Sequence, residues 1–413
     1  MTNLESLPLE IHEQIFAYLV PHQHHTKLSC LDPSYTYLKE RPDIYNIRLT
    51  CRRLRTASLQ TFFWILEDLP TKFQERTLRN LAALLKSPEI SSRLTYLTLS
   101  PYHLFTGKYY PHSLDVIVDF QRGEFHARCA WLRDTLSETL VAIVRLAPQI
   151  RHLVCVIATL RLTFNDGGDG ASVGTVFSDT IDPLCIIQAV LRDTQLSERL
   201  ESMYLFPSGG QGTFRHTGNI PESLTPLSYD NLRHLTLAPS TRKISDFRIL
   251  APHLTSLCIV LDRRCEEDLS SLFTQGVCFP ELCPTLRSYT IRGDQVRDAE
   301  FAKLLCEIPT KLLLQFITPI FEHDWTLPVV SLEYIISEEE EDGELTHISD
   351  FQGSGRIGLL VFRNFYHSIP QSRHKAGTSI YENTKTVDHH WKPYEALLAK
   401  CDSSRIEHLP GCD

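Results

Sequence analysis

The chain has 413 residues, 41 Lys+Arg against 50 Asp+Glu, and a formal net charge of −9. That balance excludes a general polyanion binder, and 42% hydrophobic residues with only 18 Gly exclude disordered, collagen-like and flexible-linker classes. At roughly 150 residues per domain, the length suggests two or three domains, or one small domain joined to a long array.

The first element is an amphipathic helix over Leu4–Leu19. Pro8 suits a first helical position, where its missing N–H would be an orphan anyway. Glu10 sits in the first turn, where the macrodipole favours an anion. Ile11, Ile15 and Leu19 recur at helical spacing, and Phe16 and Tyr18 broaden the apolar face. A polar, His-rich stretch follows over Pro21–Asp43. Periodicity returns at Ile47–Leu59, with Ile47, Cys51, Leu54 and Ser58 on one face and Arg48, Arg52 and Arg55 on another. Phe62, Phe63 and Trp64 come next. A plain helical hairpin would show the same bare stripe.

The details resemble the F-box motif. Leu7-Pro8, Glu10-Ile11, Ile15 and Tyr18-Leu19 match its first half. Leu49-Thr50-Cys51-Arg52-Arg53-Leu54-Arg55, then Phe63-Trp64, match its second. The halves are separated by an insertion at 21–43 that a compact F-box does not need. The resemblance implies docking to a Skp-type adaptor, carried by Leu7, Pro8, Ile11, Ile15, Leu19, Leu49, Leu54 and Trp64. A unit this small has little core of its own, so its apolar residues are expected to serve a partner as well as the fold.

Self-similarity marks the rest of the chain. Leu146-Ala-Pro-Gln-Ile-Arg-His-Leu153 parallels Leu250-Ala-Pro-His-Leu-Thr-Ser-Leu257. A Leu-x-x-Leu-x-Leu pattern starts at Leu94, Ile150, Leu200, Leu232, Leu254 and Leu286. Its last positions have strand period. Helical patterns precede most copies, over Arg76–Ile90, Leu132–Leu146, Pro183–Leu196, Glu266–Gln275 and Val296–Ile308. Helix then short strand is the grammar of a leucine-rich-repeat solenoid, in which each unit stacks on its neighbours. A generic α/β domain with parallel strands would carry the same pattern.

Asp166–Gly174 and Pro207–Asp230 read as loops, and Glu338–Asp342 as a solvated acidic run. Gly358–Phe362 reads as a buried strand, and Pro393–Cys401 as a short terminal helix. The fold expected is therefore α+β overall. A small all-α F-box helical module (1–65, with the loop at 21–43) precedes an irregular α/β leucine-rich-repeat-like solenoid (66–365) and a polar tail (366–413).

Chemistry-bearing motifs are sparse. Gly170-Ala-Ser172-Val-Gly174 matches G-x-S-x-G, but Asn-Asp-Gly-Gly-Asp breaks the required strand before it and no helix pattern follows. An α/β hydrolase using Ser172 is thus the weaker alternative. His12-Glu13 lacks the second His of a zinc helix, because Phe16 stands in its place. His22, His24, His25 and Cys30 fit no standard zinc spacing, and neither do His389-His390. No phosphate-cradling loop occurs. No catalytic residue, cofactor or metal is expected.

Twelve cysteines without a C-x-x-C are too sparse for a disulfide scaffold. The start lacks a signal-peptide pattern, and no apolar run reaches the roughly 18 residues of a span. A reduced protein of the cytoplasm and/or nucleus is expected, with no membrane or nucleic-acid partner. The resemblance is to fungal-type F-box proteins with a leucine-rich-repeat-like domain. It implies a non-catalytic substrate adaptor of a Skp–cullin–F-box ubiquitin ligase, acting by proximity. An F-box protein working without a cullin is the other reading. Strand alternation nominates the residues facing away from the core for the substrate. These are Tyr96, Thr98, His152, Val154, Ser202, Tyr204, His234, Thr236, Ser256, Cys258, Ser288 and Thr290. Residues through Ile65 carry six acids and seven bases, so the acidity lies beyond them and favours a neutral-to-basic client.

Overall fold

A computed structural model describes residues 8–19, 46, 50–59, 71–72, 75–100, 114–117, 122–158, 160–164, 177–181 and 183–208. It further describes 227–237, 249–261, 285–293, 306–322, 324–338, 353–368, 394 and 397–407. The chain divides into two compact units, Met1–Leu196 and Ser197–Asp413.

The first unit begins with α1 (Leu9–Leu19) and α2 (Arg52–Ala57), which touch each other. Then come β1 (Thr71–Lys72), α3 (Glu75–Leu84), α4 (Pro88–Ser91) and β2 (Tyr96–Ser100). β3 (Leu114–Ile117), α5 (Arg122–Leu146), β4 (His152–Ala158), β5 (Leu160–Phe164), β6 (Phe177–Ile181) and α6 (Pro183–Asp193) follow. β1, β2 and β4 pair in parallel, with Tyr96 opposite His152 and Leu97 opposite Leu153. β5 pairs in parallel with β3 and antiparallel with β6. The helices bury the stripes their periodicity dictates. Leu78 and Leu81 of α3, Leu136, Leu140 and Ile143 of α5, and Ile187, Val190 and Leu191 of α6 are all buried. α5 packs against both α3 and α6.

The short helix α7 (Leu196–Arg199) leads into the second unit. There β7 (Ser202–Ser208), β8 (Leu227–Ser228), β9 (His234–Leu237), β10 (Ile249–Leu250), β11 (Ser256–Leu261) and β12 (Ser288–Gly293) come in turn. β13 (Cys306–Pro309), α8 (Thr310–Glu322), β14 (Thr326–Glu338), β15 (Arg356–Ser368) and β16 (Cys401–Glu407) complete it. β7, β9, β11, β12, β14, β15 and β16 pair side by side in chain order, every pair parallel. β13 pairs with the far end of β14, Cys306 opposite Ile335. β8 and β10 form a separate parallel pair.

Each Leu-x-x-Leu-x-Leu copy does a defined job here. Its first apolar residue is buried at the turn before the strand, as at Leu200, Leu232 and Leu254. Its last two enter one face of the strand, as at Leu235/Leu237, Leu257/Ile259 and Tyr289/Ile291. Cross-strand register stacks these residues into rows, so the apolar face is continuous. α8 covers part of it with buried Leu313, Phe316, Ile317 and Ile320, and the Tyr289 hydroxyl donates to the Phe316 carbonyl at 3.3 Å. Strand entry repeats in detail. The Glu201 carbonyl accepts from Arg233 N and His234 N, that of Arg233 from Thr255 N and Ser256 N, and that of Thr255 from Arg287 N and Ser288 N, all at 2.9–3.1 Å.

The expected class, a small all-α F-box helical module followed by an irregular leucine-rich-repeat-like solenoid, is corrected by this architecture. The described residues form an α/β fold in which an all-parallel sheet dominates and helices are few. β14 and β15 run 13 residues each, far beyond the short strand of a repeat. Cys306–Pro309 is a strand where the pattern over Val296–Ile308 predicts the end of a helix. The physical reason is that Leu-x-x-Leu-x-Leu specifies a turn and a one-sided strand. Any parallel sheet with a buried face satisfies it. Of the terminal helix expected at Pro393–Cys401, Tyr394, Leu397 and Leu398 are helical among the described residues, 399–400 form a turn, and Cys401 begins β16. No helix among the described residues is long and apolar enough to cross a membrane.

Candidate functional site

Two surfaces hold the residues singled out by sequence. The first is α1. The Pro8 carbonyl accepts from Ile11 N and His12 N at 3.2 and 3.3 Å, which starts the helix at Leu9. His12 is 1% exposed, whereas Leu9, Ile11 and Ile15 are 37%, 39% and 38% exposed. Ile11 and Ile15 of the expected stripe are therefore open at the surface, while the side chains of Phe16, Tyr18 and Leu19 lie outside the described residues. α2 behaves in the opposite way. Cys51 caps it by accepting from Leu54 N at 3.5 Å, and Leu54 and Ala57 are buried with Cys51 packed on them. Arg52, Arg53 and Arg55 are exposed. Of the adaptor-binding residues expected, Pro8, Ile11 and Ile15 lie at the surface and Leu54 is inside. Leu19 ends α1. Leu7, Leu49 and Trp64 lie outside the described residues.

The second is, in each unit taken by itself, the sheet face opposite the apolar rows. In the first unit it carries Tyr96 and His152, whose rings stack with centroids 4.1 Å apart and planes inclined by 21°. Thr98 and Val154, the next row, are buried. In the second unit the register lines up Ser202, His234, Ser256 and Ser288, then Tyr204, Thr236, Cys258 and Thr290. Ser202, Tyr204 and Thr236 are buried, so a partner could reach only His234, Ser256, Cys258, Ser288 and Thr290 of this set.

A third row was not nominated by sequence. Arg292, Glu333, Arg363 and Glu407 stand opposite one another on β12, β14, β15 and β16, with alternating charge. Arg363 Nη1 donates to Glu333 Oε1 at 2.6 Å, and its Nε and Nη2 donate to Glu407 Oε2 at 3.0 and 2.8 Å. Arg405 also pairs with Glu407. These hydrogen bonds, those of Arg363 first, hold the Glu407 carboxyl below the usual carboxylate range. Arg292 lies two residues beyond Thr290, so the same alternation could have found it.

The thiols here are quiet. Burial pushes Cys258 up to about 12; Arg292 and a hydrogen bond with Thr236 pull it back and Glu333 adds to it. Burial also raises Cys155, and raises Cys401 to about 11. Such thiols stay protonated at neutral pH and are poor nucleophiles and metal ligands. Among the described residues, no three His, Cys, Asp or Glu side chains gather closely enough to hold a metal. Ser172, His22, His24, His25, Cys30, His389 and His390 lie outside the described residues.

Two kinds of surface are thus on view: exposed aliphatic residues on α1, and a hydroxyl-, imidazole- and guanidinium-bearing sheet face. No family model, no curated protein and no solved structure matches the chain.

Proposed function

We propose that the chain is a protein-recognition adaptor, the substrate-receptor subunit of a Skp–cullin–F-box type ubiquitin ligase of the cytoplasm or nucleus. The observation that carries this reading is the exposure of Ile11 and Ile15, one turn apart on the same face of one short helix. A soluble chain rarely leaves an aliphatic stripe open unless something docks there. The F-box-like motifs around it name the partner class, a Skp-type adaptor. The polar sheet face, through His234, Ser256, Ser288 and Thr290, is the surface offered to a protein substrate. Ubiquitin transfer would then be accelerated by proximity, with the bond chemistry left to other subunits.

Co-purification from cells with a tagged full-length chain tests the reading. A Skp-type adaptor and a cullin should co-elute with the wild type. Ile11→Asp with Ile15→Asp should remove both. Adaptor without cullin would point to a role outside the ligase. Retention of the adaptor by the folded double variant would overturn the docking claim.

A further inference from the structure

The C-terminal part of the second unit is held in two different ways. Tyr394 and Leu397 are completely buried, and the Tyr394 ring meets Phe365 and Phe362 edge-on at 5.5 and 6.3 Å. β16 follows directly, and its side chains are exposed or half-exposed from Cys401 to Glu407. Ile406, its one aliphatic residue, is 53% exposed. Apolar burial therefore anchors the lead-in and contributes little to the strand. Beyond its parallel pairing with β15, β16 is held by polar contacts. Ser403 Oγ donates to the Gly358 carbonyl at 3.0 Å, and Arg356 faces Asp402 at 4.0 Å. The strongest tie is at the far end, where Arg363 grips Glu407 with two N–H groups.

We propose that β16 is a releasable latch: Cys401–Glu407 undocks from β15 as a unit while the Tyr394–Leu398 segment stays seated, and the Arg363–Glu407 ion pair controls the opening. A strand with few buried apolar contacts opens at lower free energy than the sheet it borders. Opening bares the Ile357–Arg363 edge of β15, whose main-chain groups then lose their strand partner. This inference does not depend on the adaptor reading.

Two levers follow from the geometry. Salt weakens the pair because Arg363 and Glu407 side chains are 32% and 25% exposed. Acid weakens it too. The groups facing Glu407 are Arg363 from β15 and Arg405 of its own strand, with Glu333 of β14 and then Arg292 of β12 further along the row. The folded carboxyl titrates below its ordinary value, so its contribution is present above the unfolded value and is lost as pH falls through the folded one.

Hydrogen exchange of the full chain, read by mass spectrometry as protection factors, tests the latch. At neutral pH, amides of 402–407 should be less protected than those of 330–332. Glu407→Gln should lower protection of 402–407 by roughly tenfold and leave 330–332 and 397–398 unchanged. In acid, the wild type should fall to the level of Glu407→Gln. Equal protection of β16 and β14, no effect of Glu407→Gln, or a uniform loss across the sheet would each overturn the proposal.

Discussion

The Tyr394 hydroxyl donates to Ser337 Oγ at 2.5 Å, joining the lead-in of β16 to the end of β14. Both residues are fully buried. The bond sits beside the Phe362–Phe365–Tyr394 ring cluster, so one side chain supplies apolar contact and a polar tie at once.

Tyr394→Phe keeps the rings and deletes only the hydroxyl. It should cost about 0.5–1.5 kcal/mol in urea unfolding of the full chain. Tyr394→Ala also removes the ring contacts and should cost about 3–5 kcal/mol. If the two variants lose the same stability, the ring cluster is not what seats this segment.

The turn before β15 should tolerate no Cβ at Gly353. Its φ is +122°, and a Cβ there would strike the Phe321 carbonyl oxygen at the end of α8. The Asp324 carboxylate accepts from Ser354 N at 2.6 Å in the same turn. Gly353→Ala should destabilise by about 3 kcal/mol from backbone strain and collision together. Gly358→Ala meets the Pro328 carbonyl oxygen at 2.8 Å without positive φ, and should cost less. Denaturation midpoints of the two variants give the ranking directly.

Cys258 should resist alkylation in the native state. With its pKa pushed up to about 12, iodoacetamide at pH 8 should modify it far more slowly in the native chain than after unfolding. The same shift carries a pH dependence. Below the ordinary thiol value of 9.0 the folded and unfolded chains hold the same proton there. Above it the unfolded thiol ionises first, so stability falls as pH rises toward 12. Cys258→Ser should reduce the loss between pH 9 and 11 in a denaturant series.

Ile11→Asp with Ile15→Asp should separate docking from folding. Both positions are more than a third exposed, so the double variant should unfold within about 0.5 kcal/mol of the wild type. Adaptor co-purification should nevertheless be lost. A collapse of stability would mean that these residues belong to the core rather than to a partner.

Much of the sheet was legible in the sequence, because it rests on short-range alternation. Leu94, Leu97 and Leu99, then Leu254, Leu257 and Ile259, are buried where the pattern puts them. The helical stripes at Leu78/Leu81 and Leu136/Leu140/Ile143 are also buried. The class was not legible. An array and an extended sheet share the same local signal, and the long pairing of β14 with β15 is set by tertiary contact. β16 was invisible for a different reason. Cys-Asp-Ser-Ser-Arg-Ile-Glu lacks apolar alternation because both faces of that strand meet solvent. At the candidate surfaces, the α1 stripe was readable but its exposure was not, since periodicity marks an apolar face without saying what covers it. The Arg292–Glu333–Arg363–Glu407 row is composed of residues far apart in sequence, so only register brings it together.

The doubled acceptors at Glu201, Arg233 and Thr255 recur from strand to strand. β9, β11 and β12 are each met at their entry by a carbonyl on the neighbouring strand's own entry, so the side-chain rows start from a shared backbone reference. Changes that reshape 229–233 or 251–255, where these doubled bonds are made, should therefore disturb the order of the rows directly.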